Sequence, residues 1–325
     1  MFTPDRTSLA RFSVPDWFRD AKFDIYCHWG SQCVPARDGW YARNMYVQGH
    51  RAYKHHVKHY GHPSVFGYKD IIPLWKAEKF DPDGLVALFK EAGARYFTPV
   101  AVHHDNFDLW ASKHTRWNSV NMGPGKDIIG LWRDAARKHG LIFGVTEHLE
   151  RSYSWFQMSH HADATGPLKG VPYDGEQPGF QDLYFEKHGD ADYRSPLNPP
   201  ASWREQWKAR IKDLIDNYHP ALLYFDGSCP FQGDDQGRSG MEIIAHFYND
   251  ILARVASRTG CISSRRYPIM ASSSMAFAWS TTKGMARRSS TPCPGKPTRR
   301  SATGSIASRT PTRQPPISST CSPTS

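Results

Sequence analysis

The last 75 residues of this 325-residue chain contain 12 lysines and arginines but no aspartate or glutamate. The preceding 250 residues carry 29 basic and 31 acidic groups, a net of −2, so the formal charge of +10 belongs wholly to the tail. A basic arm is one signature of nucleic-acid binding, but a different origin for this tail, given below, removes nucleic acid from the expected partners. No apolar run approaches the roughly 18 residues of a membrane span, so no membrane partner is expected. Met1 to Arg19 lacks the basic start, apolar middle and small-residue cleavage site of a secretion signal. The six cysteines, at 27, 33, 229, 261, 293 and 321, show no C-x-x-C metal spacing. Cys27 lies in an apolar run and reads as a small buried hydrophobe.

What is present is aromatic and histidine-rich: 11 Trp, 15 Tyr, 17 Phe and 16 His. That supply suits a large core, and it also suits surfaces that stack on sugar rings. The most informative stretch is Leu222-Leu223-Tyr224-Phe225-Asp226-Gly227. A short continuous apolar run reads as a strand buried on both faces, and the Asp sits where the strand leaves the sheet. Asp-Gly alone is also an ordinary turn.

Earlier segments repeat the pattern. Trp17 to Asp20 reads as a short helix leading into a strand, Lys22 to Trp29, which delivers His28-Trp29-Gly30. An aromatic loop with Trp40, Tyr41, Met45 and Tyr46 follows. His50, His55, His56, His59 and His62 hold no clean helical ligand spacing and read as surface. Asp81-Pro82-Asp83 opens a helix with Leu85, Leu88 and Phe89 on one face, ended by Gly93. Arg95 to Val102 is a second strand, delivering His103-His104-Asp105. Asp127 caps a helix, Ile128 to Lys138, stopped by Gly140. Leu141 to Thr146 is a third strand, delivering Glu147-His148. A Tyr-, His- and Gly-rich insertion spans about Ser152 to Pro200. Trp203 to Tyr218 and Met241 to Val255 read as helices around the strand that ends at Asp226.

Strand, helix, strand, helix is the signature of a parallel α/β fold. Four strands place ionisable residues at their C-terminal ends, where the chemistry of a (β/α)8 TIM-like barrel sits. Two chemistries compete. A His/His/Asp mouth could hold a metal, but no H-x-H pair closes the first strand, and successive residues of a strand face opposite ways. In glycoside hydrolysis, one carboxylate attacks the sugar while a second carboxyl protonates the leaving oxygen. Imidazole, Trp and Tyr side chains then grip the ring.

Three runs carry a family resemblance. Ala21 to Gly30 (AKFDIYCHWG) resembles the first strand of the retaining α-L-fucosidases, glycoside hydrolase family 29. Val102 to Trp110 (VHHDNFDLW), with Trp117 to Asn121 (WNSVN), is similar to their central signature. Leu223 to Gly227 is similar to the segment holding their nucleophile. The resemblance covers about residues 14 to 255. It implies Asp226 as nucleophile, with His28, His103 and His104 on fucose hydroxyls and Trp40 lining the same pocket. It implies no metal and no cofactor, and a fucosylated glycan or glycoside as partner. Asp105 and Trp110 are expected as structural supports. Glu147 and His148 are substrate-binding candidates from their strand-end position alone. A truncated sugar-binding protein without catalysis is the alternative.

Beyond about Ala256 the chain turns to Ser, Thr, Arg and Pro, and disorder is the default expectation for such a segment. The expected layout is a partial barrel of four to five strands over residues 1–255, with a tail unlike the family over 256–325. The general acid/base is expected after the nucleophile, yet no Glu follows Glu242 and no Asp follows Asp250. Shifted codons for Pro294 to Thr298 spell Trp-Gln-Thr-Asp, and those for Ser301 to Ile306 spell Gly-Asp-Trp-Phe-Tyr. Both look family-like, so the tail is expected to be translated out of frame.

Overall fold

The structure, a computed structural model, describes residues 1–190, 196–226, 231 and 233–259, with the side chains of 256–259 left out. Gly227, the four cysteines from 229 onward and nearly all of the expected tail lie outside the described residues.

Four strands form one parallel sheet in chain order: β1 (Asp24–Cys27), β2 (Tyr96–Val102), β3 (Ile142–Glu147) and β4 (Leu222–Phe225). Register runs Asp24 to Tyr96, Tyr96 to Ile142 and Gly144 to Leu222. A register shift between Val100 and Val102 interrupts the β2–β3 ladder just before the strand ends. Each strand lies where an apolar run predicts it, with ends moved by one or two residues. Closure into an eight-stranded barrel is not seen among the described residues, where β1 and β4 each pair on one side only.

Five helices matter for the site: α1 (Arg51–His59), α2 (Pro82–Glu91), α3 (Ile128–Lys138), α4 (Ala201–Tyr218) and α5 (Arg238–Thr259). The starts of α2 and α3 follow the capping chemistry. The carboxylates of Asp81 and Asp127 accept from the amides of Gly84 and Gly130, 3.0 and 2.9 Å away, satisfying groups a helix leaves unpaired. α4 buries Trp203, Trp207, Ile211, Leu214, Ile215 and Tyr218, a stripe spaced by threes and fours. α5 packs on α4, and Lys208 joins them by an ion pair to Glu242 at 2.6 Å.

Period-two alternation sorts the strand residues onto two faces. Phe97, Phe143, Val145, Leu223 and Phe225 are buried beneath the helices. Asp24, Tyr26, Thr98 and Tyr224 instead line a cleft of about 290 Å³ that leads to His28 and Asp226. Gly144 lies where β3 and β4 approach closely. A Cβ there would stand 3.0 Å from Leu222 Cβ and 3.2 Å from Thr98 Oγ1.

One expectation is corrected. His56 and His62 are buried, not surface residues. His56 fills a core position on α1, with Tyr41 Oη 2.9 Å from Nδ1 and the Phe66 carbonyl 2.7 Å from Nε2. Within the 152–200 insertion, Trp155, Phe156, Tyr173, Leu183 and Tyr184 belong to the core. Among the described residues no helix is long and apolar enough to cross a membrane.

Candidate active site

The strand ends meet at one mouth, and adjacent His103 and His104, which lie beyond the end of β2, both reach it, with ring centroids 4.6 Å apart. His28 follows β1, His103 and His104 follow β2, His148 follows β3, and Asp226 follows β4. The backbone holds them level: His148 N donates to Val102 O, and Asp226 N to Glu147 O, both at 3.1 Å.

Four imidazoles crowd this mouth. Ring centroids are 4.7 Å apart for His28 and His103, and 5.0 Å apart for both His28–His148 and His104–His148. Burial drives the pKa of His103, His104 and His148 well below the usual imidazole range, and the neighbouring imidazoles add to this, so the rings are neutral near pH 7. Trp40 stands edge-on to His104 at 5.8 Å and to Trp155 at 6.2 Å, forming an aromatic wall.

The tautomer of His104 follows from its neighbours. Nδ1 lies 2.9 Å from the His148 carbonyl, which can only accept, so Nδ1 carries the proton. The Nε2 lone pair then faces Asp226 Oδ2, 3.7 Å away. His148 places Nδ1 3.4 Å from the same oxygen, while Tyr26 Oη and Thr146 Oγ1 lie 3.0 and 3.1 Å from its Nε2. Two faces of the mouth therefore present nitrogen to one carboxylate oxygen. Both ring nitrogens of His103, Nε2 of His104, Nδ1 of His148 and Nε1 of Trp155 are buried without a hydrogen-bond partner among the described residues. Buried polar atoms are costly when unpaired, and a ligand rich in hydroxyls is chemically suited to pair them.

Glu147 is not brought to this mouth. It is fully buried on the face of β3 opposite Thr146 and His148, and its carboxylate accepts from Leu149 N at 2.9 Å. Burial pushes its pKa up to about 8. Strand parity alone separates Glu147 from His148.

Three neighbours escape the sequence reading. Tyr26 supports His148, and its parity with Asp24 and His28 is the signal for it. Arg151 Nε donates to the Asp226 carbonyl at 2.9 Å. Glu150, fully buried, has two carboxylate oxygens without hydrogen-bond partners among the described residues and lies 3.7 Å from Arg151 Nε. Both lie in a single 3-10 turn, Leu149–Arg151, straight after β3, too short to carry a periodic sequence signal.

The segment after β2 is a scaffold. Asp105 accepts from Ser31 Oγ at 3.0 Å and Tyr68 Oη at 2.5 Å. Arg210 on α4 donates to both oxygens of Asp108, at 2.6 and 3.1 Å, and to Asn106 Oδ1 at 2.6 Å. Trp110 Nε1 donates to Asp213 at 2.9 Å. These contacts fit the supporting role expected of Asp105 and Trp110.

A model of the α-L-fucosidase family matches residues 1–276. The chain belongs to the α-L-fucosidase family. Mouse tissue α-L-fucosidase is 30% identical over 255 residues, covering 77% of this chain and 48% of the relative. A putative α-L-fucosidase of Caenorhabditis elegans is 30% identical over 254 residues, covering 76% and 44%. The solved structure of Thermotoga maritima α-fucosidase in complex with fucose is similar at a TM-score of 0.59 and 29% identity, covering 77% of this chain and 54% of that one. The chain thus spans about half the length of the curated relatives it matches.

Proposed function

We propose that this chain carries the sugar-gripping and nucleophile-bearing part of a retaining α-L-fucosidase, acting on terminal α-L-fucosides. The observation that carries the reading is Asp226, at the end of β4, with His148 Nδ1 and His104 Nε2 3.4 and 3.7 Å from one carboxylate oxygen. Asp226 attacks the anomeric carbon, whose bond to the leaving oxygen breaks as that oxygen takes a proton from an acid. Water then attacks the glycosyl ester, gives up a proton, and releases fucose with retained configuration and a free carboxylate. His28, His103, His104 and His148 take the hydroxyls, and Trp40 takes the apolar ring face.

The sheet is proposed as the first half of a (β/α)8 barrel, with residues 1–255 as its catalytic part and 256–325 as an out-of-frame tail. Retaining hydrolysis needs two carboxyls about 5 Å apart. No acidic residue follows Asp250 within these 325 residues, so residues 251–325 carry no candidate for the acid.

An activated 2-fluoro-fucosyl fluoride tests the reading, because fluoride leaves without acid help. Intact-mass analysis of the folded chain should show one fluorofucosyl adduct, mapped by peptide sequencing to Asp226. A folded chain that binds fucose but is never labelled would instead make this a sugar-binding protein without a nucleophile.

A further inference from the structure

We propose that His104, His148 and Asp226 form a site for one divalent transition ion, best suited to Zn²⁺, within the same mouth. The three donor atoms lie within 4.8 Å of one another. A tetrahedral ion bound at 2.0–2.2 Å sets its ligands roughly 3.3–3.6 Å apart. His148 Nδ1 and His104 Nε2 stand 3.4 and 3.7 Å from Asp226 Oδ2, too long for good hydrogen bonds but close to the edges of such a tetrahedron.

The independent observation is the state of the two nitrogens. Both belong to fully buried rings and have no hydrogen-bond partner among the described residues. The opposite nitrogen of each ring is held. His104 Nδ1 donates to the His148 carbonyl at 2.9 Å, and His148 Nε2 lies 3.0 Å from Tyr26 Oη and 3.1 Å from Thr146 Oγ1. Such outer contacts fix which nitrogen is offered to a metal and how the ring points. A second trio, His28, His103 and His148, is also close enough to hold an ion. It competes for His148, whose unpartnered nitrogen faces Asp226, and its His28 is solvent-exposed.

Two imidazoles and one carboxylate favour zinc, nickel or copper over calcium or magnesium. Three protein ligands leave a fourth position open to water. An ion there engages the carboxylate oxygen that the proposed reaction needs. Resting on that reading, zinc and the fucosyl group are mutually exclusive occupants.

The test is a Co²⁺ titration of the untagged, folded chain, followed by its visible absorption and by displacement with Zn²⁺. One equivalent should bind with d–d bands of a low-coordinate nitrogen and oxygen set, and Zn²⁺ should abolish them. Asp226→Asn and His104→Gln should each weaken binding roughly tenfold or more. The His55→Gln/His59→Gln variant, which removes a histidine pair on α1, should bind as before. Absence of saturable binding, a near-ultraviolet thiolate-to-cobalt band, or loss of binding only in the α1 variant overturns the proposal. The readout needs no turnover, so labelled Asp226 without Co²⁺ binding sinks the metal site alone. Co²⁺ binding without labelling sinks the nucleophile alone.

Discussion

His148 Nδ1 stands 3.4 Å from Asp226 Oδ2, while the His148 and Asp226 amides each tie back to the neighbouring strand. The ring and the carboxylate are thus set by the sheet, not by a loop. His148→Gln should slow fluorofucosyl labelling by about 10²-fold, the penalty of a misplaced reacting group. The adduct should still map to Asp226. Asp226→Asn should remove it altogether, as read by intact mass.

Arg210 and Asp108 form a buried, two-pronged pair. Breaking one partner strands the other, at a cost of about 3–5 kcal/mol. Arg210→Met should lower the urea midpoint accordingly. Lys138→Met, which breaks the exposed pair with Asp83, should leave that midpoint nearly unchanged, because solvent screens such a pair.

A methyl group at Gly144 meets Leu222 and Thr98 across two strands. Gly144→Ala should destabilise by about 1–3 kcal/mol, the usual cost of overpacking. Chemical denaturation measures it, and an unchanged midpoint would show that β4 shifts freely.

Two buried groups act on opposite arms of the pH–stability curve. Burial holds His56 down to about 4, from an ordinary value of 6.5, so its contribution is present above 6.5 and lost as pH falls through 4. Burial raises Glu147 to about 8, from an ordinary value of 4.5, so its contribution is present below 4.5 and lost as pH climbs through 8. Glu147→Gln should therefore flatten the alkaline arm of the melting profile without changing the labelling rate. An altered labelling rate would return Glu147 to the mouth.

The strands and the convergence of His28, His103, His104, His148 and Asp226 were legible in the sequence. Buried parallel strands read as unbroken apolar runs, and an ionisable residue closing such a run is easily seen. Glu147 was separable by parity, because neighbours on a strand face apart. His56 was not. Its burial depends on Tyr41 and the Phe66 carbonyl, partners fixed only by tertiary packing. The insertion's packed layer escaped for the same reason, having aromatics but no period.

The sheet pairs strictly in the order of synthesis, β1 to β2 to β3 to β4. As the chain leaves the ribosome, each strand finds its neighbour already made, and domains grow from the N-terminus. Asn106 and Asp108, however, wait for Arg210, about a hundred residues later. Asp105 beside His104 is held by the earlier Ser31 and Tyr68, but Asn106 and Asp108 are tied down only when α4 emerges, shortly before Asp226 itself. Of the four strands, the one that carries the carboxylate is the last to be made.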